Sequence, residues 1–429
     1  MPFLSPKGIS YPSGHTEQLT VHQRYMLNYQ LCFPHGLLNN MPTLIRLPKN
    51  SVDPEKLRFA CERVFHAHPS YAMVHSFDEN GGIVLKYRPD IIEAVPVIET
   101  DEPAFLSNVS ALVRPFSLME SRLYRCEIYV GNRNIYLFLD NYHTLSDGSS
   151  QIVALREIFS VMNGEACSPD GYLDYLSDCG GRRGTEERKK TENVFGSLYG
   201  GKNYSCVPKY DRREEVTRRG TCVRQTGFTQ REWEVAAKNR GTTPNRSLVS
   251  ACLAALSVYN NEKNVMINWA FHGRDTREKK DMTGLLFAAL PVGATIGPDT
   301  TIRALLDEVR EKCEQGKPYA RFSPGVADNR PGENDRICIF YQTDLSLPEN
   351  VPAGSGMSCL YDALTGQVNC FNIIADKRQD PEEPVSLLFI GDLRFYKPES
   401  LERFAELFCG FLRRLLLADE NENVLEKNK

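Results

Sequence analysis

The stretch Ile135-Tyr136-Leu137-Phe138-Leu139-Asp140-Asn141-Tyr142-His143-Thr144-Leu145-Ser146-Asp147-Gly148 leads from one hydrophobic period into another. Ile135 to Leu139 is a nearly unbroken apolar run, as in a strand buried on both faces. Beyond the stretch, Ile152, Leu155, Phe159 and Met162 recur at spacings of three and four, a helical stripe that Asn163-Gly164 ends. His143 therefore falls in a strand-to-helix turn. A side chain there can project from the end of a sheet while two rigid elements fix its backbone. Taken alone, His-x-x-x-Asp-Gly supports two readings. One is a catalytic imidazole; the other is a histidine hydrogen-bonded at a helix start, with Asp147 as the cap and Gly148 as a permissive turn.

Upstream, Leu19 to Phe33 reads as an entry helix. Asp53-Pro54 is an N-cap followed by proline at the first helical position, and Leu57, Ala60, Cys61 and Val64 give the buried stripe of a helix ending near His68-Pro69. Tyr71 to Phe77 and Ile83 to Tyr87 flank Asp78-Glu79-Asn80-Gly81-Gly82, a hairpin signal. Ala104 to Val113 reads as a helix, and Leu123 to Val130 as a strand pairing with Ile135 to Leu139 through Gly131 to Asn134. Hairpins mixed with helices predict mixed sheets covered by helices, an α/β architecture.

From Cys167 to about Thr221 the composition turns polar, with Gly180-Gly181-Arg182-Arg183-Gly184 and interleaved charges, and the stretch reads as a solvated linker. The second half opens with helices at Thr229 to Arg240 and after Thr243-Pro244, then a strand from Val265 to Phe271 and the charged loop His272-Gly273-Arg274-Asp275. An apolar segment, Leu285 to Ile296, contains Pro291. A helix stripe follows from Ile302, then strands at Ile337 to Gln342, Val368 to Ala375 and Val385 to Ile390, and a closing helix from Pro398.

At 429 residues the chain has the length of two domains. Its net charge of -4 leaves no electrostatic footprint for nucleic acid. No apolar run reaches the length of a membrane span and the first residues lack a signal-peptide pattern, so a cytoplasmic protein without a membrane partner is expected. The 13 cysteines include no Cys-x-x-Cys pair, which argues against zinc and disulfide frameworks. His66 and His68 lie on different helix faces, and no metal is expected.

With these pieces in order, the chain resembles a condensation domain of non-ribosomal peptide synthetases. That superfamily also holds carnitine, alcohol and chloramphenicol acyltransferases. Val52 to Pro69 resembles the early helix ending in His-Pro. Arg114-Pro115-Phe116-Ser117-Leu118 with Leu123-Tyr124-Arg125 resembles Arg-Pro-Phe-Asp-Leu and its downstream Leu-x-Arg. Tyr142 to Gly148 resembles His-His-x-x-x-Asp-Gly, and Gly273-Arg274, Gly284 and Leu290-Pro291 resemble Gly-Arg followed by Gly-x-Phe-x-Asn-x-Leu-Pro.

The resemblance implies two chloramphenicol-acetyltransferase-like lobes arranged as a V around a central tunnel. Residues 1–170 would form the lobe carrying the motif, 171–220 the charged linker, and 221–429 the C-terminal lobe. His143 would sit at the tunnel midpoint, with Asp147 turned from substrate and paired with Arg274 across the lobes. Tyr142 replaces the family's first histidine; Leu286 and Ala288 replace its Phe and Asn and would alter the tunnel wall. The donor would be a thioester on phosphopantetheine, carried by an acyl or peptidyl carrier protein acting in trans, or on coenzyme A. No tightly bound cofactor is implied, and a small-molecule amine would be the acceptor. A single chain with two lobes needs no second subunit, so a monomer is expected.

Chemically, imidazole is the group suited to manage the proton of an attacking amine or hydroxyl. The Gly148 N–H, at a helix start, is a candidate oxyanion donor. Three functions are expected in this order: amide-forming condensation, ester formation by an O-acyltransferase, and a catalytically idle docking module.

Overall fold

The computed structural model describes residues 2–215, 218–325, 336–342, 346–360, 371–378 and 380–425. The chain divides into two compact units. The first comprises Met1–Glu186, His272–Phe287 and Asp344–Thr365; the second comprises Glu187–Phe271, Ala288–Thr343 and Gly366–Lys429.

The first unit is built on a five-stranded sheet in the order Gly356–Cys359, Asn40–Pro48, Asn134–Tyr142, Tyr124–Val130, Val97–Glu99. All pairs are antiparallel except that between Val97–Glu99 and Tyr124–Val130. The strand Asn134–Tyr142 is central and buried along almost its whole length, as its apolar run predicts. One core gathers Leu137, Leu139 and Ile128 from this sheet with Leu57, Cys61 and Val64 of helix Pro54–Ala67 and Leu155 and Phe159 of helix Gly148–Met162. The first of these helices starts as read: Asp53 accepts the N–H groups of Glu55 and Lys56 at 2.8 and 3.2 Å. A smaller sheet holds the expected hairpin, Met73–Phe77 against Ile83–Tyr87, with Thr16–Gln18 added at its edge.

The second unit carries a six-stranded sheet in the order Arg219–Thr229, Pro384–Asp392, Asn372–Asp376, Cys338–Gln342, Asn264–Phe271, Ala288–Thr295. Cys338–Gln342 runs parallel to both neighbours and the other pairs are antiparallel, so this sheet too is mixed. Helices Pro244–Asn260, Ile302–Gly316 and Pro398–Leu417 bury Leu253, Leu306 and Phe408 against it. Pro291 lies in Ala288–Thr295, an edge strand, where its missing N–H breaks no second ladder. Of the expected strand Val368 to Ala375, residues 368–370 lie outside the described residues.

The first part of the stretch read as a charged linker, up to Tyr199, is helical. Tyr172–Gly180 buries Tyr172, Leu173 and Leu176, and Arg182–Tyr199 buries Thr191 and Phe195 four residues apart. Charges dominate the composition there, yet a helix needs only one apolar face to pack. The two longest strands that escaped the sequence reading, Arg219–Thr229 and Asn40–Pro48, did so for related reasons. Arg219–Thr229 alternates in burial, but its inward positions are Gly220, Cys222, Thr226 and Phe228, only one of them a bulky hydrophobe. Asn40–Pro48 contains Pro42, a strand breaker in appearance. Its outer partner pairs only with Thr43 to Arg46, so Pro42 lies beyond that ladder.

Candidate active site

Strand Asn134–Tyr142 stops one residue before His143. The backbone then turns tightly: Leu145 N–H donates to the Tyr142 carbonyl at 3.0 Å, and His143 N–H donates to the Asn39 carbonyl at 2.8 Å. The His143 ring is half-buried, with Nδ1 2.8 Å from the Ser146 carbonyl oxygen. A carbonyl only accepts, so Nδ1 carries the hydrogen and the neutral ring keeps its lone pair on Nε2. The turn thus selects a tautomer as well as a position.

Asp147 combines the roles the sequence left open. As N-cap it accepts Ser150 N–H at 2.8 Å on Oδ1, and Gly148 begins the helix. Gly148 is not among the positive-φ glycines, so a permissive turn is not its role. The same carboxylate meets Arg274 Nη1 at 2.8 Å and takes the N–H groups of Leu286 and Phe287 on Oδ2 at 2.9 and 3.0 Å. Burial favours its neutral form, but the Arg274 charge and these hydrogen bonds win and hold the carboxyl below its ordinary range. A carboxylate so fully engaged is an anchor rather than a base.

Arg274 extends the anchor by donating from Nη2 to the carbonyls of Met282 and Gly284, each at 3.2 Å. Neighbouring amides are fastened in the same way: Gly284 N–H to Ser150 Oγ at 2.9 Å, and Thr283 N–H to Asp170 at 2.7 Å. Gly284 has φ +108°, and a Cβ there would stand 2.2 Å from the Tyr172 ring. Only glycine fits.

Two expectations need correction. The Asp147–Arg274 pair does not bridge the two halves of the chain, because His272–Phe287 belongs to the first unit. The long hydrogen-bonded loop after strand Asn264–Phe271 carries Arg274 there. Leu286 and Ala288 form no open wall: Leu286 is 4% exposed in a core with Tyr142, Tyr172 and Met282, and Ala288 is 1% exposed in the core of the second unit. The residue between them, Phe287, is the one whose ring lies 6.4 Å from that of His143 and 6.3 Å from that of His22. Tyr142 is packed away, 1% exposed, edge-on to Phe116 and His75 at 5.7 and 6.0 Å. It supports the turn by packing.

Sequence reasoning missed Ser146, Asn39, His22, His75 and Phe287. Ser146 acts through its backbone carbonyl, three residues from His143, and the others through carbonyl and ring contacts made across the fold, so no side-chain pattern marked them. His75 is buried, with Nδ1 3.0 Å from the Leu118 carbonyl and Nε2 3.1 Å from Thr144 Oγ1, one residue from His143. Burial pushes the imidazoles of His22 and His75 each down to about 4. The unfolded chain then binds more protons between about 6.5 and 4, so stability from these residues is full above that window and lost as pH falls through it. Each is expected to lose about 3 kcal/mol by pH ~4. Asp140, raised by burial to about 6, acts in the opposite sense. Denaturant midpoints measured across this range should therefore depend less on pH in His22→Gln than in the parent chain. An unchanged slope would contradict the assignment.

The family model for the condensation domain matches residues 14–324. The chain therefore belongs to the condensation domain family. Tyrocidine synthase 2 of Brevibacillus parabrevis is 23% identical over 419 residues, covering 93% of this chain and 11% of the relative. Bacitracin synthase 1 of Bacillus licheniformis is 22% identical over 322 residues, covering 71% of this chain and 6% of the relative. The chain thus spans only a small part of these relatives' length. Among solved structures, the starter condensation domain of rhizomide synthetase superposes with a TM-score of 0.76 at 15% identity, covering 96% of this chain and 99% of that one. The condensation domain from Monacolin K polyketide synthase gives 0.76 at 14%, covering 95% and 99%. The shared fold is the mixed α/β condensation-domain fold. Among the described residues no helix is long and apolar enough to cross a membrane.

Proposed function

We propose that this chain joins a carrier-bound acyl or aminoacyl thioester to an amine acceptor, with His143 as the catalytic residue. The carrying observation is the His143 turn, with Nδ1 committed to the Ser146 carbonyl and Nε2 left as an acceptor. The amine nitrogen attacks the thioester carbonyl, a C–N bond forms, and Nε2 accepts the proton the nitrogen sheds. Collapse of the tetrahedral intermediate breaks the C–S bond and releases the pantetheine thiol, to which the proton passes. The Gly148 N–H, one of the amides a helix start leaves without an intrahelical acceptor, is the candidate donor to the oxyanion. Asp147 and Arg274 are positioning residues that hold the turn and the 282–287 segment. The donor arm is phosphopantetheine on a carrier protein or, in its place, coenzyme A.

Incubating the chain with a loaded carrier and matched amine and alcohol acceptors, with mass spectrometry of products, tests the reading. Amide is expected. Exclusive ester formation would replace it with an O-acyltransferase, and carrier binding without turnover across many acyl groups would leave a docking module.

A further inference from the structure

Away from the His143 turn, three side chains from separate parts of the chain converge. His68 is the C-cap of helix Pro54–Ala67, Glu157 lies in helix Gly148–Met162, and Cys167 follows that helix. His68 Nε2 stands 2.6 Å from Glu157 Oε2, and Cys167 Sγ lies 3.1 Å from that oxygen and 4.0 Å from Nε2. The other imidazole nitrogen is committed: Nδ1 is 2.8 Å from Asp170 Oδ2. Asp170 in turn accepts the N–H and hydroxyl of Thr283, both at 2.7 Å, and the N–H of Tyr172 at 3.0 Å.

A carboxylate that fixes one ring nitrogen while a thiol and a second carboxylate gather at the other is how proteins orient histidine toward a metal. The donor set decides which metal. Sulfur and nitrogen disfavour magnesium and calcium, whereas imidazole, thiolate and carboxylate together suit zinc. With zinc–ligand distances of about 2.0 to 2.3 Å, ligand atoms in a tetrahedron stand about 3.3 to 3.7 Å apart. The present spacings straddle that range, and closing on an ion mainly requires the Glu157 oxygen to withdraw by under about 1 Å. Its side chain is 20% exposed and Cys167 is half-buried, leaving the outer side for a water.

We propose that His68 Nε2, Glu157 Oε2 and Cys167 Sγ form a three-residue zinc site with water as the fourth ligand. The ion would pin the helix that starts at the His143 turn to helix Pro54–Ala67. On binding, the thiol proton and the proton held between Nε2 and Glu157 leave to solvent.

The test strips the purified chain with a chelator, titrates zinc against a chromophoric competitor, and records the absorption of the cobalt-loaded protein. One equivalent bound with Kd of about 1 μM or tighter is expected. The cobalt form should show a near-ultraviolet thiolate-to-cobalt band. Cys167→Ser should abolish the band, and both Cys167→Ser and Glu157→Gln should weaken zinc by at least about 10- to 100-fold. A cobalt spectrum of the unsubstituted chain that lacks the thiolate band counts against the site even if a variant misfolds. Absence of a bound equivalent, a cobalt spectrum without the thiolate band, or affinity unchanged in both variants overturns the site and leaves an ion-paired cluster. None of these outcomes bears on His143.

Discussion

Replacing His143 with alanine is expected to lower turnover of a thioester donor by about 10²- to 10⁴-fold, the range for removing a general acid–base group. The fold should survive. The ring is half-buried, and the bond it makes to the Ser146 carbonyl contributes about 1 kcal/mol. Asparagine makes the comparison sharper, because its amide can donate where Nδ1 does but offers nothing in place of Nε2. Both variants should lose activity alike, while His143→Asn keeps the thermal midpoint of the parent. Full turnover in either would remove His143 from the chemistry, and loss only in the alanine variant would reduce its role to holding the turn.

Removing one partner of the Asp147–Arg274 pair is expected to have the largest effect on stability. Their side chains are 6% and 5% exposed, and breaking a pair so buried costs about 3 to 5 kcal/mol because the survivor keeps an uncompensated charge. Arg274→Ala should therefore approach the stability limit of an ordinary domain. A double-mutant cycle with Asp147→Asn should show coupling of about 0.5 to 3 kcal/mol, whereas additive losses would mean that the two act independently. Swapping the charges should fail to restore stability. An arginine at position 147 cannot accept the amides of Ser150, Leu286 and Phe287, so Asp147 is needed as an acceptor as much as a charge. The sign with pH follows from the lowered carboxyl. Its contribution is complete above the unfolded value of about 3.9 and is lost only as pH falls through the lower folded one. Acid loss between about 6.5 and 4 therefore belongs to the buried histidines.

Much of the site was legible because it is local. The apolar run Ile135 to Leu139, the helical stripe from Ile152 and the cap residue Asp147 fix a strand, a turn and a helix within some thirty residues, and caps such as Asp53-Pro54 and Thr243-Pro244 placed other helices in the same way. Segments whose buried faces are small or polar were not legible. The Gly220, Cys222 and Thr226 face of Arg219–Thr229 carries little hydrophobic signal, and helix Arg182–Tyr199 hides a narrow packed stripe among charges.

By itself the sequence determined the elements that carry a strong apolar period or a cap, the mixed α/β class and the histidine poised between strand and helix, since periodicity and capping act over a few residues. Only the tertiary structure decided that loop His272–Phe287 closes on the motif's own unit, that Phe287 rather than Leu286 or Ala288 neighbours His143, and that His68, Glu157 and Cys167 meet across 89 and 99 positions. Those outcomes depend on which distant donor satisfies which buried acceptor, and no local period records that.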